Sequence, residues 1–241
     1  MDRGLQVDPL FRAPVALREL ESGASGNASS VSTNGTLAAA DDQLYLAAVA
    51  SKPDVAVSSV SGLGLAWSPV GHQCSGRNQT GVAVWQARGR PSGDGAVTAT
   101  FPGTFQNAVL AVSRYDNADV LDAAGATSAN SVGVAGPCVG GNDQDAYALQ
   151  LDTTTPGGLL YVATAMRNRA HLPGSGYEER IELNRGSGGS IAGLAMADHR
   201  IDAPGPTAVE GRFSSDVDWA AVALEIPASP AASRTTLRQR R

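Results

Sequence analysis

Acidic side chains bunch at three places in this chain, and their spacing decides what each could do. Asp116, Asn117, Asp119 and Asp122 follow an apolar run and set three carboxylates and an amide in one short loop. Calcium takes six to eight oxygen ligands from such loops, so this run is the candidate calcium site, although it lacks the EF-hand pattern. Asn142, Asp143 and Asp145 form a second acidic loop after Gly140-Gly141. Asp and Asn also fill ordinary turns because they bond their own backbone, and a plain turn is the competing reading of both loops. Glu178, Glu179 and Glu182 make the third group. Neighbours in a strand point to opposite faces, so these glutamates suit an exposed edge strand rather than a pair of cooperating carboxyls.

Nucleophilic and metal chemistry find little support. There is no Gly-x-Ser-x-Gly elbow, and His72, His171 and His199 are far apart without metal-ligand spacing. His72-Gln-Cys74 offers two ligands where a structural zinc wants four. No Walker loop or dinucleotide fingerprint follows a strand and opens a helix, which argues against nucleotide cofactors. No residue is assigned a catalytic role. Trp85 is the candidate ligand-binding residue, since Val82 and Val84 alternate onto the other face and leave its indole free to stack on a sugar ring. Packing beneath a loop or against another subunit is its alternative. Cys74 and Cys138 either stay thiols or close a long loop, worth about 4 kcal/mol in an oxidising compartment.

The frame that must position these residues contains a copy of itself. Residues 81–114 lie over 193–226 without a gap, matching at Gly81/Gly193, Gly93/Gly205, Val97/Val209, Phe101/Phe213 and Ala111/Ala223. Related apolar runs, Leu44–Ser51 and Leu159–Met166, precede the two copies. A period this long marks one supersecondary block used twice. Frequent Gly and Pro, with Ala, Val, Ser and Thr between them, suit short strands and tight turns. About a dozen strands are predicted, among them 43–51, 54–60, 64–69, 81–88, 95–101, 105–115, 130–135, 144–151, 158–166, 178–183, 190–198, 206–213 and 217–226. The turns SGDG (92–95) and PGPT (204–207) read as hairpins. The expected fold is all-β: an antiparallel jelly-roll β-sandwich built from two pseudo-repeated blocks, about 43–115 and 158–226. Residues 1–35 read as an N-terminal arm or linker, 36–228 as a single sandwich domain and 229–241 as a tail.

A net charge of −5 leaves no basic footprint for nucleic acid. No stretch approaches the roughly 20 apolar residues that span a bilayer. The opening residues lack the cationic start and apolar core of a signal peptide.

The runs LYLAAVAS, LGLAWSPVG, TGVAVWQARG, AVTATF, NAVLAVSRYDNAD, GLLYVATAM and DWAAVALEI together resemble concanavalin A-like β-sandwich modules of bacterial surface, secreted and phage-encoded proteins. The resemblance covers roughly residues 36–228. Glucanases with this kind of sandwich carry a Glu-x-Asp-x-x-Glu strand, which is absent here. The missing catalytic constellation and the arm-like ends suit a non-enzymatic structural or interaction module of an extracellular or virion assembly, such as a capsid or tail decoration. Its partners would be other copies of itself or neighbouring subunits. A lectin-like carbohydrate-binding module, calcium-assisted and using Trp85 or the 116–122 loop, is the alternative.

Overall fold

The computed structural model describes residues 13–121 and 125–230. Its strands are β1 (Ala16–Ser32), β2 (Leu44–Lys52), β3 (Ser59–Gly62), β4 (Trp67–Cys74), β5 (Gly81–Arg88), β6 (Val97–Asp116), β7 (Thr127–Asn130), β8 (Gly133–Val134), β9 (Gln144–Thr153), β10 (Leu159–Met166), β11 (His171–Pro173), β12 (Glu178–Arg185), β13 (Ala192–Arg200), β14 (Gly205–Val217) and β15 (Trp219–Ile226). A 3-10 turn spans Gly188–Ser190. All pairings are antiparallel, in accord with the all-β expectation.

The two halves share one strand order. The first runs β1-β6-β2-β5-β4, with β3 beside β6. The second runs β12-β13-β10-β15-β7-β8, with β11-β14-β9 as a separate sheet. The long β6 corresponds to β14 and β15 together, and the long β1 to β9 and β7, because the second half breaks its strands where the first merely bends them. Even a bulge recurs, between Pro69 and Gly71 in β4 and between Glu179 and Ile181 in β12.

The register corrects the gapless repeat. Ser51 pairs with Gly81 and Ala108, while Met166 pairs with Gly193 and Trp219, so Ala108 matches Trp219. The second half is therefore one residue shorter at the corner, where Asn107 and Asp218 become equivalent. Ala111 and Ala223 illustrate the slip: Ala111 faces the central core, Ala223 the outer one. A one-residue slip moves a side chain to the opposite face of a strand. Upstream of the corner the repeat holds, and Phe101 and Phe213 lie in corresponding outer clusters.

Three apolar clusters fill the structure. The central one joins the halves, with Leu46, Ala48, Ala50, Val82, Val84 and Ala111 facing Tyr161, Ala163, Ala165, Leu194, Ala220 and Val222. Its small side chains let the sheets approach closely: a Cβ on Gly71 would come within 3.0 Å of Val222. Each half then closes its own outer cluster, around Phe101 and Phe105 in the first and around Tyr147, Phe213 and Trp219 in the second. The central strands are apolar on both faces for this reason.

Three further expectations change. The segment read as an arm contains β1, which pairs with β6 along nearly its whole length. The predicted strand 54–60 shrinks to β3 (Ser59–Gly62). The turns after β5 and β13 are not hairpins, because β5 pairs with β2 and β4, whereas β6 pairs with β1, β2 and β3. They are crossings between layers.

Two polar clasps lock the halves at equivalent corners. The buried Asp218 carboxylate accepts from the Ser75 hydroxyl (2.6 Å) and from the amides of Arg77 (3.0 Å) and Gln79 (3.2 Å) in the β4–β5 loop. Asn107 donates to the Ser190 carbonyl (2.9 Å) in the β12–β13 loop. Gly186 makes room for it, as a Cβ there would lie 2.5 Å from the Asn107 amide nitrogen and its φ is +105°. A disulfide, Cys74–Cys138, adds a covalent link between β4 and the β8–β9 loop. Asp218→Ala strands three donors and should lower unfolding free energy by about 3 kcal/mol, against about 1 kcal/mol for Asn107→Ala. Replacing both cysteines by serine should cost about 4 kcal/mol. Denaturant titration of the purified variants measures all three.

Candidate functional site

The residues singled out from the sequence do not converge. Asp116 binds Arg18 through Oδ2 (2.5 Å), Asn117 donates to the Pro14 carbonyl (3.0 Å) and Asp119 accepts the Val120 amide (2.8 Å). Asp122 lies outside the described residues. Local bonding thus occupies the three described members of the expected calcium loop, and no cluster of three or more His, Cys, Asp or Glu fit for a metal occurs among the described residues. The other acidic loop is likewise tied to arginines, Asp143 to Arg77 (2.9 Å) and Asp145 to Arg212 (3.6 Å). Trp85 is half-buried against the first half's outer cluster rather than presented as a free platform.

What the sequence did not reveal is a surface centred on Tyr147. The outer face of β9, β11 and β14 carries a groove of about 580 Å³, lined in part by Ala146, Tyr147, Leu172, Gly174 and Arg212. A second depression shares Ala146, Tyr147 and Ala148 and extends to Val132 and Val134. The alternation of β9 builds this surface: Tyr147, Leu149 and Leu151 point inward, while Ala148, Gln150 and Asp152 face out. Among the described residues β9 pairs with β14 alone and forms the open edge of its sheet.

Beneath the groove, Tyr147 is fixed rather than mobile. Its ring lies over Gly211, where a Cβ would come 2.6 Å from the phenol oxygen. That oxygen is 2.9 Å from His171 Nε2, and His171 Nδ1 is 2.6 Å from Glu179 Oε2. Glu182 accepts the His171 amide (3.0 Å). Phe213 and Trp219 pack on the Tyr147 ring at centroid distances of 5.7 and 5.5 Å. The chain of oxygen and nitrogen atoms resembles a proton relay, but the His171 side chain is 1% exposed. It serves as a buried polar strut joining β9, β11 and β12. The glutamate trio that read as an edge strand is such a strand, β12, with Glu179 and Glu182 turned to this use.

Apolar side chains stand exposed around this surface. Among the described residues the large exposed ones are Val120, Val132, Val134, Val139 and Leu172, all aliphatic. Three of them belong to the segment between β7 and β9 that the disulfide anchors at Cys138. A sequence signal for the patch existed in Val132, Val134 and Val139, but only their exposure gives it meaning.

Burial pushes the Tyr147 phenol up to about 12. Tyr45, Tyr115, Tyr161 and Tyr177 shift upward too, with burial the largest cause in each. A raised folded-state value favours the neutral phenol, so this stability is complete below about pH 10 and is lost as pH rises towards 12. Tyr147 alone should contribute about 3 kcal/mol. Denaturation midpoints should therefore fall above about pH 10, with phenolate absorbance appearing together with unfolding. Titration of all the tyrosines in the folded protein at their ordinary value would contradict this. Comparison with protein-family models, with curated proteins and with solved structures finds no match for this chain.

Proposed function

We propose that this chain is a non-enzymatic structural or interaction module, a jelly-roll sandwich of concanavalin A-like type that joins copies of itself in an extracellular or virion assembly. The supporting observation is the aliphatic surface beside β9: Val132, Val134 and Leu172 are exposed around a groove that borders an open edge strand. Exposed aliphatic side chains suit protein contact, and an unpaired edge is a template for a strand of another chain. The chosen occupant is a second copy, because β9 and its flanking groove offer one chain both the backbone edge and the apolar pocket.

The disulfide suits an oxidising location outside a reducing cytosol. The sandwich unit, read as 36–228 from the sequence, is best taken to begin at β1, whose pairing makes it part of the same sheet. The carbohydrate-binding alternative needs an exposed aromatic face. Trp85 is half-buried, and among the described residues no aromatic is one of the large exposed apolar side chains.

Sedimentation over a concentration series tests the reading. The wild-type chain should self-associate, and Val134→Asp combined with Leu172→Asp should shift it to monomer, with the dissociation constant raised about tenfold or more. A wild-type monomer that binds one defined sugar on a glycan array, and loses it on Trp85→Ala, would replace this proposal with the lectin reading.

A further inference from the structure

The comparison of the two halves exposes a second, unrelated feature. Lys52 and Arg167 occupy equivalent places, each following the equivalent pair Ser51 and Met166 at the end of its central strand. Lys52 lies opposite Asn107, and Arg167 adjoins Asp218, so each cation flanks one of the two clasps. In the first half the cation is satisfied: Lys52 Nζ donates to Gln79 Oε1 at 2.6 Å. In the second half the neighbouring loop brings Gly189 beside Arg167, where even an added Cβ would stay 3.9 Å from Nη2. The acceptor that its counterpart uses is missing.

Arg167 is not alone. Arg169 stands two residues on and donates from Nη1 to the Asn168 carbonyl and Oδ1, while the Nε–H groups of both arginines are buried without an acceptor among the described residues. Neither guanidinium has a described carboxylate within 4.0 Å, whereas Arg77, Arg88, Arg90, Arg114 and Arg180 all do. Asp218, the nearest acid along the pairing, has its oxygens committed to Ser75, Arg77 and Gln79. The two arginines line one pocket of about 310 Å³ with Asn168, Asn184 and Glu182. Glu182 turns Oε2 to the His171 amide. Positive charge also gathers behind the pocket: the Lys52 amine is held below its ordinary value first by burial and next by Arg167.

A buried guanidinium N–H with no acceptor is costly, and two in one loop call for a shared anionic partner. Arginine's planar fork matches the oxygens of a tetrahedral oxyanion, and flanking asparagine amides add neutral donors. We propose that the pocket formed by Arg167 and Arg169 binds a tetrahedral oxyanion, phosphate or sulfate, free or carried as a substituent. The site is independent of the self-association surface, which lies on the β9–β14 face.

Calorimetric titration with inorganic phosphate, at ionic strength held constant with sodium chloride, tests it. Wild type should bind saturably with a dissociation constant in the millimolar range. Arg167→Gln and Arg169→Gln should each weaken binding about tenfold or more, and Arg90→Gln, whose side chain pairs with exposed Asp41, should leave it unchanged. Sulfate should compete and acetate should not. The proposal is overturned if binding fails to saturate by about 100 mM phosphate, if the variants bind like wild type, or if acetate competes as well as sulfate. Should Arg167→Gln fail to fold, Arg169→Gln alone decides the question.

Discussion

A buried carboxylate at a corner holds this architecture in place. Asp218 sits where the second half turns from its outer sheet into its inner one, and it is fully enclosed. A charge there is tolerable only because one hydroxyl and two amides of the other half converge on it. The β4–β5 loop is correspondingly organised around a group that it does not itself contain. Asn107 performs the neutral version of the same reach at the equivalent corner. The central core is lined by alanine and valine over much of its area, so it grips without strong shape specificity. The directional clasps fix how far one half slides over the other.

The halves have diverged around this common frame. The first keeps β1 and β6 as long bent strands and covers its outer cluster with their ends. The second cuts the corresponding strands, loses a residue at Asp218 and fills the gap with Tyr147, His171, Phe213 and Trp219. β9 keeps the edge position that β1 holds in the first half, and a groove lies beside it. Ile191 stands where the first half has Gln79, so Arg167 lacks the side-chain acceptor that Lys52 uses. The surfaces that carry functional interest thus lie in the half that departed further from regular strand geometry, and the disulfide ties that half's irregular segment to the regular one.

Much of the frame was legible in the residues. The strict alternation of Val97, Ala99 and Phe101, and the all-apolar runs at Leu44 and Leu159, marked half-buried and fully buried strands as local chemistry demands. The repeat of Gly81 and Phe101 at Gly193 and Phe213 carried the duplicated block. Asp116, Asn117 and Asp119 stayed ambiguous because a loop rich in oxygen donors looks the same whether it faces a metal, an arginine or its own backbone. Trp85 stayed open for a related reason, since alternation assigns a face but does not say whether that face is covered.

Sequence alone therefore determined the class of the fold, its internal duplication and most strand positions, all of which depend on side-chain periodicity within a few residues. Only the tertiary structure decided which strands pair, that the turns after β5 and β13 cross between layers, and that the second copy is out of step beyond Asp218. It also decided that Arg167 and Arg169 share a pocket and that Asp116 pairs with Arg18. These outcomes rest on contacts between residues far apart along the chain, and such contacts leave no periodic trace in the local order of amino acids.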